Sequence, residues 1–247
     1  MSRVGAGAAL VLLFLLVLLA RAPAHLAGHF LPQERIRLSG FSGTIWDGVA
    51  ASSAVATDAG WIQLGRLRWS LSQLYLLILS PTAQLDSSWG QQRLRAHVQV
   101  SPGGNVRIRD LEGSFSAGLI KQWLPVNLRG DINTLVQELR ISDGMAQSGN
   151  GRVVWQRAAW RGNLGSQPLG DYILQFNVTG PQVIEGRVST LAGPIAVEGR
   201  LNVNGRSYAV DARLTSAEPF DPELSSALQL MAAPVPGGYQ LKFESDF

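Results

Sequence analysis

Residues 64–71 read LGRLRWSL, and within them Leu67, Trp69 and Leu71 alternate with Arg66, Arg68 and Ser70. Successive side chains of a β-strand point to opposite faces, so a period of two describes a strand with one apolar and one charged side. The pattern recurs. Leu94, Ala96, Val98 and Val100 alternate with Arg93, Arg95, His97 and Gln99; further on Tyr172, Leu174, Phe176 and Val178 share a face, as do Ile195, Val197, Leu201 and Val203. Tyr208, Val210, Ala212 and Leu214 make another strand, and Tyr239, Leu241 and Phe243 a last one. One apolar face per strand predicts an antiparallel sheet buried on one side, which must curve or roll to cover it.

The links between strands are equally legible. LSGFSGTIWDGVA, residues 38–50, raises a choice between an active-site corner and the end of a hairpin. Asp47 has no His, Lys or second carboxylate near it in sequence with which to share a proton, which favours the hairpin. Thr44 and Trp46 then share a face, with the Trp46 indole buried, and Asp47-Gly48 is expected to supply the positive φ of the turn. Asn204-Gly205 is a second hairpin signal. Four apolar-polar-Gly triplets, at Leu111-Glu112-Gly113, Leu128-Arg129-Gly130, Ile184-Glu185-Gly186 and Val197-Glu198-Gly199, suggest a meander in which Gly permits a bulge or sharp coil in each strand. Residues 70–81 hold the apolar run Leu74–Leu79 and read either as a buried strand or as a short helix capped by Ser72. Residues 220–234, FDPELSSALQLMAAP, predict a helix capped by Asp221, with Pro222 in its first turn, a face of Leu224, Leu228 and Met231, and Pro234 as its stop.

A different pattern opens the chain. Val4 to Ala20 is uncharged and bracketed by Arg3 and Arg21, long enough to cross a hydrocarbon core. Ala22-Pro23-Ala24 would suit a signal-peptide cleavage site, but the run exceeds the usual h-region of about 7–15 residues, so an uncleaved anchor is the expectation. The organisation that follows is a cytoplasmic tail at 1–3, a transmembrane anchor at 4–24 and one periplasmic β domain at 33–247, with the short basic end retained in the cytoplasm. The fold class is thus all-β: an N-terminal transmembrane helix, then a curved or rolled antiparallel β meander with a short C-terminal helix.

Composition narrows the function classes. The 247 residues include no cysteine, which excludes disulfides and thiolate metal sites, and the net charge of +3 is small for a nucleic-acid binder. Nucleotide-binding and hydrolase motifs are absent from the sequence, and no catalytic, cofactor or metal residues are expected. His97 reads as part of a solvated face, and His25 and His29, four residues apart, as interfacial polar residues. The sequon Asn177-Val178-Thr179 lies inside a predicted strand. The informative polar pattern is Arg-apolar-Arg, at Arg35 and Arg37, Arg66 and Arg68, Arg93 and Arg95, and Arg107 and Arg109. Each pair points to one face of its strand, so together they form a candidate interaction face for anionic lipid headgroups or an acidic partner. The plainer reading is a charged outer face that keeps the sheet soluble. Residues 22–110 carry a charge of +3 and residues 111–247 a charge of −2, so the earlier half is the basic one.

Gly43-Thr44-x-Trp46-x-Gly48, followed by Leu67-x-Trp69-x-Leu71, and the closing DPELSSALQLMAAPVPGGYQLKF resemble the general secretion pathway protein N family, the inner-membrane N component of bacterial type II secretion systems. The resemblance covers essentially the whole chain. It implies a single-pass inner-membrane protein with a periplasmic β domain, an accessory and structural part in exporting folded proteins across the outer membrane, other secretion subunits as partners, and no enzymatic activity or cofactor. Gly43, Thr44, Trp46, Gly48, Leu67, Trp69 and Leu71 are its motif residues, expected to be structural. The alternative, carried by the apolar sheet face, is a lipid- or hydrophobe-binding groove like that of AsmA-like envelope proteins.

Overall fold

The computed structural model describes residues 14, 17–32, 34–57, 60–72, 80–122, 127–162 and 165–246. They are antiparallel β-structure with a short helix near the C-terminus, so the all-β expectation holds. Most of the anchor at 4–24, and all of the ambiguous apolar run at 74–79, lie outside the described residues. Among those described, no helix is long and apolar enough to cross a membrane. Two compact units form, residues 1–89 and 90–247.

In the first unit, β1 (Ile36–Gly43), β2 (Asp47–Thr57), β3 (Gly60–Leu71) and β4 (Thr82–Trp89) pair in sequence order. Register aligns Phe41 with Ala50, Ala50 with Leu67, and Trp69 with both Gly48 and Leu85, which gathers the apolar positions onto one side. Two short helical turns, Ala24–Leu26 and Ala27–Phe30, lie over that side. Ala24, Ala50 and Trp69 form the buried centre, with Ala27, Leu38, Phe41, Leu67, Leu71 and Leu85 packed around it. Arg66, Arg68 and Ser70 are exposed, as the alternation requires.

The second unit is itself a meander of β5 (Gln92–Val100), β6 (Val106–Ser116), β7 (Leu128–Ser142), β8 (Met145–Gly162), β9 (Gly165–Gly180), β10 (Val183–Ala192), β11 (Ile195–Asn204) and β12 (Ser207–Ser216). β14 (Gly238–Asp246) pairs with β12 and, at its start, with the short β13 (Ala233–Val235). Every predicted strand is present. Register places Trp155, Tyr172 and Thr190 in one cross-strand row, and Gly151, Phe176, Gly186, Leu201, Val210 and Phe243 in another on the same face. The opposite face carries rows such as Arg152, Gln175, Arg187, Arg200, Asp211 and Lys242.

Of the bulges expected at the glycine triplets, only the one at Gly130 coincides with a register break. Gly113, Gly186 and Gly199 have no positive φ; Gly130 alone of the four has one, at +116°. An added Cβ on Gly113 would lie 2.8 Å from the Phe115 ring, and one on Gly186 would lie 2.9 Å from Leu174 Cδ1. Gly113 and Gly186 therefore make room for large neighbouring side chains. Sharp bends come from elsewhere. Gly130, Arg157 (φ +50°) and Gly170 (φ +138°) break the register of consecutive strands β7, β8 and β9, and each break adds local twist.

Three sequence expectations need correction. The turn of the first hairpin is Thr44–Trp46, with the positive φ at Gly43 (+85°), while Asp47 and Gly48 already belong to β2. Thr44 N–H donates to the Asp47 carbonyl and the Asp47 N–H to Thr44 Oγ1, which closes the turn without a left-handed Gly48. In the second hairpin only Gly205 takes positive φ, in a two-residue Gly205-Arg206 loop flanked by Asn204 and Ser207. Finally, α1 (Pro222–Gln229) is capped by Asp221, whose Oδ1 accepts from Glu223 and Leu224 N–H, but it ends two turns on. Leu224 is buried, whereas Met231 is 58% exposed, and Pro234 enters the edge strand β13, a position that does not need its missing N–H.

Candidate functional site

The seven motif residues converge on one corner of the first unit. Gly48 lies beneath the Trp69 indole, where a methyl group would overlap the ring. Trp69 Nε1 donates to the Ile45 carbonyl at 3.0 Å, and the Leu71 N–H to the Trp46 carbonyl at 2.6 Å, so β3 is stitched to the tip of the β1–β2 hairpin. Phe41 meets Trp69 edge-on at 6.3 Å between centroids. Trp69 is the buried indole, at 6% exposure; Trp46, expected to be buried, is only partly covered.

That corner receives the N-terminal segment. Trp46 Nε1 donates to the Leu19 carbonyl at 2.9 Å, Ile45 N–H to the Ala22 carbonyl at 2.9 Å, and Pro23 bridges Thr44. Ala24 is nearly inaccessible beside Ala50 and Trp69. The motif is thus a clasp holding the chain where it leaves the N-terminal apolar run. Asp47 takes part through its backbone, and its side chain is exposed.

The eight arginines of the candidate interaction face have varied surroundings. Arg35 is exposed in the turn before β1, and the Arg37 guanidinium stacks over Trp61 at 3.9 Å. Arg66 stands opposite Ser88 and Arg68 opposite Asp86. In the second unit Arg93 and Arg95 are exposed opposite Ser114 and Glu112. Arg107 Nε lies 3.3 Å from Glu138, which Arg140 also contacts at 2.6 Å, and Arg109 donates to Gln99 Oε1. The Arg140 hydrogen bond, with the charges of Arg140, Arg107 and Arg109, holds the Glu138 carboxyl below its ordinary range against a smaller opposing effect of burial. Arg107 and Arg109 therefore belong to a mixed-charge patch. His97 Nδ1 lies 3.7 Å from the Asp110 carboxylate.

Where β7–β10 bend, Trp155 Nε1 donates to the Arg129 carbonyl at 3.0 Å, and Tyr172 Oη to the carbonyls of Leu169 and Ile195. Burial first, and the Asp171 carboxylate second, push the Tyr172 phenol up to about 12. Beside this bend an open cleft of about 600 Å³ collects Arg129, Arg157 and Arg161 with Asp131. The Arg-apolar-Arg pattern does not contain it, because Arg129 comes from β7 and the other two lie four residues apart on β8. Among the described residues no group of three His, Cys, Asp or Glu side chains could hold a metal ion.

These features define a class: an all-β protein of antiparallel meanders, each with an apolar and a charged face, whose distinctive corner clasps another part of its own chain. Residues 34–242 match the family described as type II secretion system (T2SS), protein N, and the chain belongs to that family. It is 28% identical over 178 residues to the type II secretion system protein N of Vibrio cholerae serotype O1 (strain ATCC 39315 / El Tor Inaba N16961), covering 67% of this chain and 68% of the relative. No solved structure matches it.

Proposed function

We propose that this protein is an inner-membrane-anchored accessory component of the type II secretion machine, with its β-structure in the periplasm and other secretion subunits as partners. Its part is structural and not enzymatic. The observation that carries this reading is the clasp: the end of the apolar run and the residues after it are held at Leu19, Ala22 and Pro23 by the motif corner, so a pull on the anchor reaches the sheet through Trp46 and Trp69. Val17, Leu18 and Leu19, about half exposed, supply apolar surface of the kind a bilayer covers. The exposed Arg66, Arg68, Arg93 and Arg95 are candidate contacts for acidic subunits or anionic lipid.

A cysteine-free chain makes the topology directly testable. Single cysteines at Ser2 and Arg206 are labelled in cells with a permeable outer membrane, using a maleimide that cannot cross the inner one. Labelling at 206 and protection at 2 are expected; the reverse pattern, or a mature chain beginning near His25, overturns the anchor. Photo-crosslinkers at Arg66 and Arg93 should then capture other subunits of the machine.

A second reading, a hydrophobe-binding groove, draws on the apolar face of the second unit. Leu94, Val98, Leu174, Phe176 and Leu201 all stay partly exposed, so this face has free apolar area to offer. Saturable uptake of a fluorescent fatty acid, abolished by Phe176→Asp, is the result this reading requires.

A further inference from the structure

We propose that the cleft between β7 and β8 is a binding site for a phosphate-class oxyanion. Three guanidinium groups, Arg129, Arg157 and Arg161, line it with a single carboxylate, Asp131, and with the polar side chains of Ser116 and Asn127. Arg157 and Asp131 pair with each other. Among the described residues neither Arg129 nor Arg161 has an ion-pair partner.

Register shows how these charges come together. Arg129 stands opposite Ala159, so Arg161, two residues beyond Ala159, is its diagonal neighbour across the strand pair, and Arg157 sits at the register break on the other side. Diagonal neighbours lie roughly 7–8 Å apart, within reach of long side chains, and two like charges at that range repel each other. The unit nevertheless places them there, although residues 111–247 carry a net charge of −2 and could supply acids. It does so at a strained point. Arg157 holds φ at +50°, unusual for a residue with a side chain, and its N–H is pinned by Asp171 Oδ1 at 2.6 Å. Strained positions cluster at ligand sites, and this one presents a charged side chain to the cleft.

The chemistry selects the ligand class. Guanidinium forks donate in parallel pairs to phosphate oxygens, and an oxyanion with several acceptors can engage more than one fork at once. Three such forks against one carboxylate leave an excess of two positive charges, which matches a phosphate ester better than a neutral solute. A volume of about 600 Å³ admits a phosphate with its substituents, so a lipid headgroup and a free phosphate both fit.

The test uses the full chain in a non-ionic detergent, titrated with inorganic phosphate and, separately, with glycerophosphoglycerol, while heat and melting temperature are recorded. Saturable binding is expected, with a rise in melting temperature as ligand accumulates on the folded state. The Arg129→Gln/Arg161→Gln double variant should bind at least about tenfold more weakly while melting no lower than wild type, because a repulsion has been removed. Arg129→Lys/Arg161→Lys, which keeps the charge and loses the forks, should fall between them and serves if the Gln pair folds poorly. Tighter binding of glycerophosphoglycerol assigns the site to a lipid headgroup, and tighter binding of phosphate assigns it to the free ion. The proposal is overturned by absence of saturable binding, by an equal loss in the control Arg66→Gln/Arg68→Gln, or by a decaglutamate peptide that binds more tightly than either ligand with the same arginine dependence.

Discussion

The corner at Trp69 and the bend at Trp155 use one device in two settings. In the first, an indole lies over Gly48 and donates to the Ile45 carbonyl at 3.0 Å; in the second, an indole lies 2.7 Å from where a Cβ on Gly130 would sit and donates to the Arg129 carbonyl, also at 3.0 Å. A missing side chain lets the ring approach a neighbouring strand, and the N–H then secures a backbone acceptor that a bend or turn has left unpaired. The settings diverge from there. Around Trp69 the surroundings are apolar and close over an added segment of chain, whereas beside Trp155 they open into an arginine-lined cleft. The clamp is thus a folding element that leaves its surroundings free to close over a segment of the same chain or to open as a cleft.

Substitution can break the parallel at either end. Trp69→Ala removes the centre of a dry cluster and is expected to cost about 3–5 kcal/mol, the usual range for a buried aromatic, and to lower the melting temperature more than any other change here. Gly130→Ala imposes a Cβ on a φ of +116° and within 2.5 Å of the Gln156 carbonyl, so a loss of about 1–3 kcal/mol is expected. Measured together, the two melting curves rank the clamps. If Gly130→Ala proves neutral, the bend at β7–β8 is plastic and the comparison fails.

Trp46→Phe sharpens the first setting. It deletes only the indole donor to Leu19 while keeping an aromatic ring, for about 0.5–1.5 kcal/mol. Its clearer readout is local: trypsin should cut after Arg21 faster than in wild type, with the β spectrum unchanged. Unaltered cleavage would mean that Ile45 and Thr44 hold the segment without help.

The second setting has a pH signature. Because the folded Tyr172 phenol is raised to about 12 from an ordinary value of 10, the unfolded chain loses its proton first as pH rises. The contribution is therefore fully present below pH 10 and is lost progressively as pH climbs through about 12. Melting temperature should fall over that window, and Tyr172→Phe should flatten the fall. At the acid end the sign reverses. The lowered Glu138 favours the fold above the ordinary carboxylate range and gives up that contribution as pH drops, so Glu138→Gln should slightly flatten the acid limb. This exposed group has the smallest expected effect of the set.

How much of this was legible beforehand follows from the range of the interactions. Alternation is a one-residue signal, so Arg66 to Leu71, Arg93 to Val100 and Tyr239 to Phe243 announced their strands and their faces directly. The Asp221 cap and Pro222 were readable for the same reason, being contacts between residues two or three apart. The end of that helix was not. Helical periodicity carries through Met231, but pairing of Val235 with Gly238 captures the segment into the sheet. The motif around Trp46 was visible as spacing, yet which of its indoles is buried depended on the strand 24 residues away.

Sequence by itself determined the strands, the two-faced sheet and the family, because each rests on local periodicity or on a motif written in order along the chain. Tertiary structure alone decided the clasp and the arginine cleft. Both are made by residues from different strands, and which side chains meet across a sheet is fixed by register and bends. At Arg157 that meant a residue of the net-acidic half, in no Arg-apolar-Arg pair, held in left-handed backbone and turned into a shared basic site.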